Sequence, residues 1–186
     1  EHPNVLSHLD MDAALREGDH RVEKARAVVF IQCVGSRNND RPYCSKVCCT
    51  HSLKSAIALK TMDKRKRVYV VYRDVRSYGF REDLYQKARS IGVLFIRYDL
   101  EKMPEVRLDA NKQLELTVID HVLQMPVTIH PDLVVLASAV VPGDNKTLFE
   151  KFKVPTNSDG FLVEAHAKLR PVDFASDGLF VAGLAH

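Results

Sequence analysis

Five short apolar runs punctuate the chain, and they constrain its fold more than any other feature. They lie at residues 27–31, 68–72, 93–96, 133–137 and 179–182. Runs of four or five residues that are rich in Val, Ile and Phe are typical of strands buried on both faces, as in a parallel sheet. We therefore predict a strand at each run.

Helical patterns separate the first three runs. Within residues 45–60, apolar and long side chains recur at helical spacing at Cys49, Leu53, Ala56, Ile57 and Lys60. A second repeat, at positions 84, 88 and 91, stops before Gly92, a residue type that often follows a helix. The resulting order of elements predicts an α/β fold with a Rossmann-like parallel sheet built from a βαβαβ unit.

The pattern changes after residue 99. Leu114, Leu116 and Val118 alternate with polar residues, and Val127 and Ile129 do the same beyond a proline, which predicts an antiparallel strand layer with one face in water. Beyond the fourth run, a Pro-Gly turn at 142–143 leads into a predicted short helix at residues 148–152, with Asp144 as its cap.

Charge and hydropathy exclude several classes of function. The net charge is only +3, from 27 basic and 24 acidic residues, which is too little to indicate nucleic acid as the main partner. The one dense basic run, at 64–67, is interpreted as a solvated turn rather than a docking patch. No apolar stretch approaches the roughly 20 residues of a membrane span, so we expect a soluble, cytoplasmic protein. The chain stops directly after an apolar run, as a piece of a longer polypeptide would.

All four cysteines fall in one short segment, in the arrangement C-x10-C-x3-C-C. Cys33 follows the first predicted strand, at the edge where open α/β sheets bind their ligands. Cys44, Cys48 and Cys49 lie near the start of the next predicted helix, where unpaired amides and the helix dipole are expected to lower thiol pKa values. This crowding predicts a site that uses thiolates.

Several sites would use such thiolates. An iron-sulfur cluster suits an adjacent pair with two more distant cysteines, because its ligand positions are spread over several iron atoms. A mononuclear zinc site commonly uses C-x2-C hairpins, and a catalytic dithiol usually has the form C-x-x-C. Structural disulfides and four ordinary buried cysteines are the remaining alternatives. The cluster is the favoured hypothesis.

The segments around these cysteines resemble the A-subunit of heterodisulfide reductase and its relatives. The matching stretches are FIQCVGSR at 30–37, YCSKVCC at 43–49 followed by Lys54, YRDVR at 72–76, DLVVLA at 132–137 and GLFVAG at 178–183. The resemblance implies a thioredoxin-reductase-like flavoprotein, in which a second, nucleotide-domain-like lobe interrupts the FAD domain. It divides the chain into an N-terminal segment leading from the FAD domain (1–26), a lobe carrying the cysteines (27–137) and part of a FAD-binding domain (138–186).

The resemblance also assigns roles to single residues. It implies that Cys33, Cys44, Cys48 and Cys49 bind a [4Fe-4S] cluster. Lys54 is expected near the flavin ring, with a solvent-exposed helix lysine as the alternative, and Asp12 aligns loosely with a family glutamate. Gly183 and Leu184 are expected to approach the flavin in the intact protein.

The implied activity is electron transfer between FAD and the cluster, as part of an oxidoreductase. The expected partners are other subunits of a heterodisulfide-reductase-like complex and ferredoxin-like or hydrogenase-type electron carriers; a homodimer is left open. None of the eight glycines forms a G-x-G-x-x-G turn, so this piece alone is expected to lack bound FAD and activity, and NAD(P)H oxidation is not expected. The alternative is a zinc- or cluster-stabilised interaction module without catalysis.

Overall fold

The computed structural model describes residues 2–186, which form two compact units. The first unit comprises residues 2–36 and Cys44–Ala139, and the second comprises Arg37–Tyr43 and Val140–His186. The segment 1–26 contributes a strand and two helices to the first unit. The three-part division at 26 and 137 stays a prediction about the longer protein.

Strands and helices alternate through most of the chain. The strands are β1 (Val5–Ser7), β2 (Ala27–Val34), β3 (Arg67–Tyr72), β4 (Leu94–Arg97), β5 (Glu105–Leu108), β6 (Leu114–Ile119), β7 (Pro126–Ile129) and β8 (Leu133–Ser138). The α-helices are α1 (His8–Glu17), α2 (His20–Lys24), α3 (Cys48–Met62), α4 (Glu82–Ser90) and α5 (Lys146–Phe152). Single 3₁₀ turns lie at Gly79–Arg81 and Leu100–Lys102.

A five-stranded parallel sheet forms the centre of the first unit. Its strand order is β1-β8-β2-β3-β4, and every neighbouring pair runs parallel. Seven of the eight positions in β2 are buried, as expected for a strand covered on both faces. The chain order β2-α3-β3-α4-β4 confirms the predicted βαβαβ unit.

A three-stranded antiparallel sheet, β5-β6-β7, covers one face of the parallel sheet. Leu114, Leu116 and Val118 in β6 are buried against Val29 and Val71, while the residues between them are only half-buried. The predicted antiparallel layer is therefore confirmed, and the alternation of β6 arises because only one of its faces meets the core.

Helices cover the opposite face of the parallel sheet. Met11 of α1, Leu53 and Ala56 of α3 and Ala88 of α4 are fully buried around Phe30 of β2. The result is a three-layer unit in which the carboxyl ends of β2 and β3 lie beside the start of α3, and this edge holds the cysteines.

The first helix has a signal that apolar periodicity does not reveal. Ser7 and Asp10 form a capping box: the Ser7 hydroxyl accepts from the Asp10 amide, and the Asp10 carboxylate accepts from the Ser7 amide at 3.0 Å. Gly18 ends the helix in the left-handed conformation, with φ 69°. These caps set α1 across the sheet and bring His8 and Asp12 toward α3.

Two local predictions in the second unit are wrong. Residues 179–182 form no strand. Within residues 2–186 their only sheet pairing is an isolated bridge between Asp173 and Phe180, since no neighbouring strand pairs with them over several residues. The cap of α5 is Asn145 rather than Asp144, and it makes no side-chain cap hydrogen bond. The predicted helix itself is confirmed.

Among residues 2–186, no helix combines the length and the apolar character required to cross a bilayer.

Candidate functional site

Cys33 lies at the carboxyl end of β2, as predicted, but in an unexpected backbone conformation. Its φ of 62° is left-handed, and the register of β2 against β8 shifts between Ile31 and Val34. A non-glycine residue in this conformation costs about 1–2 kcal/mol. Residues with such strain cluster at functional sites, and Cys33 turns the last residues of the strand at the position of a candidate ligand.

Helix α3 begins at Cys48, three residues later than predicted. Lys46 has a left-handed φ of 63°, which cannot continue into a helix, and the Val47 amide donates to the Ser45 carbonyl at 2.7 Å. Cys48 and Cys49 are therefore the first two residues of the helix, and Cys44 lies in the turn before it. The backbone amide of Lys46 donates to Cys44 Sγ at 3.4 Å.

None of the four cysteines is in a disulfide bond, and Cys33, Cys48 and Cys49 are each at most 6% exposed. A hydrogen bond joins the side chains of Cys48 and Cys49, and this bond, burial and the proximity of Cys33 and Cys44 raise the pKa of the Cys48 thiol. The expected lowering by the helix dipole is therefore wrong for Cys48. The crowding of neighbouring sulfurs outweighs the dipole because each thiolate disfavours the next.

The proximity of the four cysteines bears on whether they could bind a metal. Cys48 responds electrostatically to the other three cysteines, so all four share one environment. Thiolates in such a set require a positive charge among them, and a bound metal supplies it. Within residues 2–186, no three His, Cys, Asp or Glu side chains are arranged to hold a single ion. Cysteine thiolates are the ligands that an iron-sulfur cluster uses, and the assignment of these four to such a cluster stays a prediction.

A polar cavity lies beside the first turns of α3. It measures about 360 Å³, and its lining includes Asp12, Thr50, His51, Lys54 and Arg81. The exposed Lys54 and Arg81 supply positive charge, and His51 Nε2 pairs with Asp12 Oδ2 at 2.7 Å. The hydroxyl of Thr50 is buried without a hydrogen-bond partner among the described residues. Lys54 and Asp12, two residues singled out from the sequence, therefore line one cavity.

A buried hydrogen-bonded chain behind the cysteines connects α1, α3 and β2. His8 Nε2 lies 2.7 Å from Ser52 Oγ, and the side-chain amide of Gln32 donates to the same oxygen at 2.5 Å. The hydroxyl of Tyr98 donates to the Gln32 carbonyl at 2.8 Å. The residue before Cys33 is thus held through both its side chain and its backbone. The sequence did not predict this chain, and its only local signal is the capping box that places His8 at the start of α1.

Burial lowers the pKa of His8 to about 4, with a smaller contribution from neighbouring His51, whose ring centroid is 4.4 Å away; Asp12 acts in the opposite direction. Between pH 6.5 and 4 the unfolded chain therefore binds a proton that the folded chain does not. Stability is lost as the pH falls through this window.

We expect His8→Gln to remove this part of the pH dependence. When the pH falls from 7 to 4.5, the free energy of unfolding of the variant should decrease by about 2 kcal/mol less than that of the unmodified chain. The reason is that each unit of pKa shift corresponds to about 1.4 kcal/mol. Urea unfolding followed by circular dichroism at both pH values measures the difference. His130→Gln, at an exposed position, controls for the loss of one imidazole. A free-energy difference between chain and variant that is the same at both pH values would contradict the prediction.

Gly183 and Leu184 lie in the second unit. Gly183 has a left-handed φ of 71° and open space where a Cβ would lie, and Leu184 is half-exposed. Both are accessible, and their assignment to a flavin stays a prediction.

The chain was compared with known proteins. No protein-family model matches the chain. It is 36% identical over 200 residues to the A-subunit of the H2:CoB-CoM heterodisulfide,ferredoxin reductase of Methanothermobacter marburgensis, covering 99% of this chain and 30% of that protein. It is 36% identical over 199 residues to the iron-sulfur A-subunit of the CoB–CoM heterodisulfide reductase of Methanocaldococcus jannaschii, covering 98% of this chain and 30% of that protein.

The chain is a homologue of part of the heterodisulfide reductase A-subunit. It spans about 30% of the length of these curated relatives, and the match confirms the resemblance that the segments around the cysteines carry.

Solved structures confirm the fold. The thioredoxin reductase of T. acidophilum superposes with a TM-score of 0.59 at 12% identity, covering 98% of this chain and 49% of that chain. The HOCl-induced flavoprotein disulfide reductase of Escherichia coli gives a TM-score of 0.56 at 13% identity, covering all of this chain and 35% of that one. The A-subunit homologue therefore has the thioredoxin-reductase-like α/β fold.

Proposed function

We propose that the chain holds a [4Fe-4S] cluster through Cys33, Cys44, Cys48 and Cys49, and serves electron transfer between this cluster and FAD in a longer oxidoreductase. The observation that carries the proposal is the convergence of four thiols, from a strand end, a turn and a helix start, in one largely buried environment.

The surrounding backbone suits sulfur ligands. When bound, an iron-sulfur cluster exchanges single electrons at a potential set by hydrogen bonds, charge and solvent exposure. The Lys46 amide already donates to Cys44 Sγ, and the left-handed turns at Cys33 and Lys46 set the direction of two segments that carry ligands. Burial of three thiols excludes water from the same site.

The cavity beside α3 supports the flavin part of the proposal. A cation near a flavin ring stabilises negative charge on the reduced ring, and Lys54 and Arg81 provide two cations there. The unpartnered hydroxyl of Thr50 and the His51–Asp12 pair add hydrogen-bonding groups to the same lining. FAD is proposed for the longer protein and not for this chain alone. Flavin contacts of Gly183 and Leu184 are part of that proposal and rest on the family resemblance.

The proposed partners follow from the relatives. Those proteins are named as A-subunits of heterodisulfide reductases, and the name of the Methanothermobacter marburgensis protein includes ferredoxin. We extend this to the longer protein of which the chain forms a part: its electrons pass to or from other subunits of such a complex, with ferredoxin-like or hydrogenase-type carriers as the outer donors or acceptors.

Metal analysis after anaerobic reconstitution with iron and sulfide tests the proposal. We expect iron and acid-labile sulfide in equal amounts and a broad absorption at about 400 nm that bleaches on reduction, as is typical of cysteine-ligated clusters. A colourless protein that holds one zinc would instead support a metal-stabilised interaction module, and it would overturn the electron-transfer proposal.

A further inference from the structure

A second polar cavity lies at the opposite edge of the parallel sheet from the cysteines. It measures about 510 Å³ and is formed where α2 leads into β2 and where α3 leads into β3. The cysteines lie at the carboxyl end of β2, whereas this cavity lies at the amino ends of β2 and β3. It therefore belongs to neither the cysteine site nor the cavity of Lys54.

The lining of this cavity is strongly cationic. Five cationic side chains line it, namely Lys24, Arg26, Arg65, Lys66 and Arg67, against two carboxylates, those of Glu23 and Asp63. Asp63 is already engaged, since its two oxygens each accept from the Arg65 guanidinium at 3.1 Å. Its negative charge is thereby balanced within the protein.

Three of the other four cations are exposed and have no ion-pair partner among the described residues, whereas Lys66 is buried. Lys24, Arg26 and Arg67 are exposed to solvent, and within residues 2–186 none of the three is in an ion pair. The nearby carboxylate of Asp132 accepts through Oδ2 from the backbone amides of Arg26 and Ala27, at 2.7 and 2.8 Å. Lys24, Arg26 and Arg67 therefore line the cavity without an ion-pair partner in the described part of the chain, with the carboxylate of Glu23 in the same lining.

Backbone hydrogen bonds hold these cations together. The Arg67 amide donates to the Arg26 carbonyl at 2.7 Å, which sets the first residues of β2 and β3 side by side. The buried Lys66 ammonium donates to the carbonyls of Val22, Glu23 and Ala25 and ties the second turn to the end of α2. The basic run at 64–67 therefore lies beside a second basic segment at 24–26. This proximity was not predicted from the sequence.

We propose that this cavity binds a small ligand that carries two or more phosphate groups. The guanidinium groups of Arg26 and Arg67 are planar forks that pair with phosphate oxygens in a bidentate manner, and Lys24 adds a point charge. A concave site of this volume suits a small molecule better than a flat protein surface. The ligand is either an inorganic oligophosphate or the phosphate chain of a nucleotide, which share this chemistry.

Isothermal titration calorimetry of the 186-residue chain tests the site, with inorganic pyrophosphate and ADP as separate probes at low ionic strength, where screening is weak. We expect saturable binding with one site per chain. The double variant Arg26→Gln, Arg67→Gln should bind at least tenfold more weakly, because both bidentate partners are removed. Equal affinities would identify the phosphates alone as the ligand, and tighter ADP binding would identify a nucleotide; either result supports the site.

The matched control removes the same charge elsewhere. Lys87→Gln, Lys151→Gln replaces two exposed lysines on α4 and α5, and it should change the affinity less than twofold. Three results would overturn the proposal: no saturable binding to either probe, equal weakening by both double variants, or binding of a polyglutamate peptide but of neither phosphate compound. The last result would indicate an acidic protein partner instead.

Discussion

Replacing Cys48 by serine is expected to reduce the iron bound after anaerobic reconstitution from about four atoms per chain to less than one, because a [4Fe-4S] cluster requires all of its cysteine ligands. Cys49→Ser should have the same effect. The core should remain folded, since serine is close to cysteine in size and both positions lie in the first turn of α3, at the edge of the unit. Iron analysis and the visible spectrum measure the loss, and far-ultraviolet circular dichroism reports the fold.

Thr50→Ala is the matched control for the two cysteine variants. Thr50 directly follows the pair in the same helix, is similarly buried, and its hydroxyl has no hydrogen-bond partner among the described residues, so its removal leaves no group unpaired. The control should retain full iron content. Full iron content in either serine variant would contradict the ligand assignment, whereas loss in the control as well would show that α3 tolerates no change at its start.

The parallel core was predictable because its signal is local. A strand covered on both faces consists of consecutive apolar residues, and β2 has that composition in the sequence itself. The meeting of Cys33 with the start of α3 was predictable for a topological reason, since the carboxyl end of a strand leads into the helix that crosses to the next parallel strand. Both inferences needed only the order of elements along the chain.

The hydrogen-bonded chain behind the cysteines was not predictable from local sequence patterns. His8 and Ser52 are 44 positions apart, and Gln32 and Ser52 are 20 positions apart, so only the packed fold brings them together. Strand β1 has three residues, too few for a recognisable run, and it joins the sheet beside β8, whose sequence is distant. The left-handed residues Cys33 and Lys46 also escape prediction, because that conformation is expected of glycine.

The contribution of the buried lysine just before β3 to stability was also not predictable from the sequence. From the sequence, Lys66 is one member of a basic run, and nothing distinguishes it from Lys64. In the structure Lys66 is 4% exposed, and its ammonium donates to three backbone carbonyls, whereas Lys64 is exposed to solvent. The two side chains therefore have very different effects on stability, although they are two residues apart.

Lys66→Met should lower the free energy of unfolding by about 3 kcal/mol. Methionine fills much of the same volume but cannot donate, so the carbonyls of Val22, Glu23 and Ala25 lose their donor, and buried unpaired acceptors cost about 1–3 kcal/mol each when water cannot reach them. Lys64→Met makes the same chemical change at an exposed position and should alter stability by less than about 0.5 kcal/mol. Urea unfolding of both variants at pH 7 measures the difference. Equal stability of the two would mean that the end of α2 finds other donors, and that the ammonium of Lys66 does not hold the two turns together.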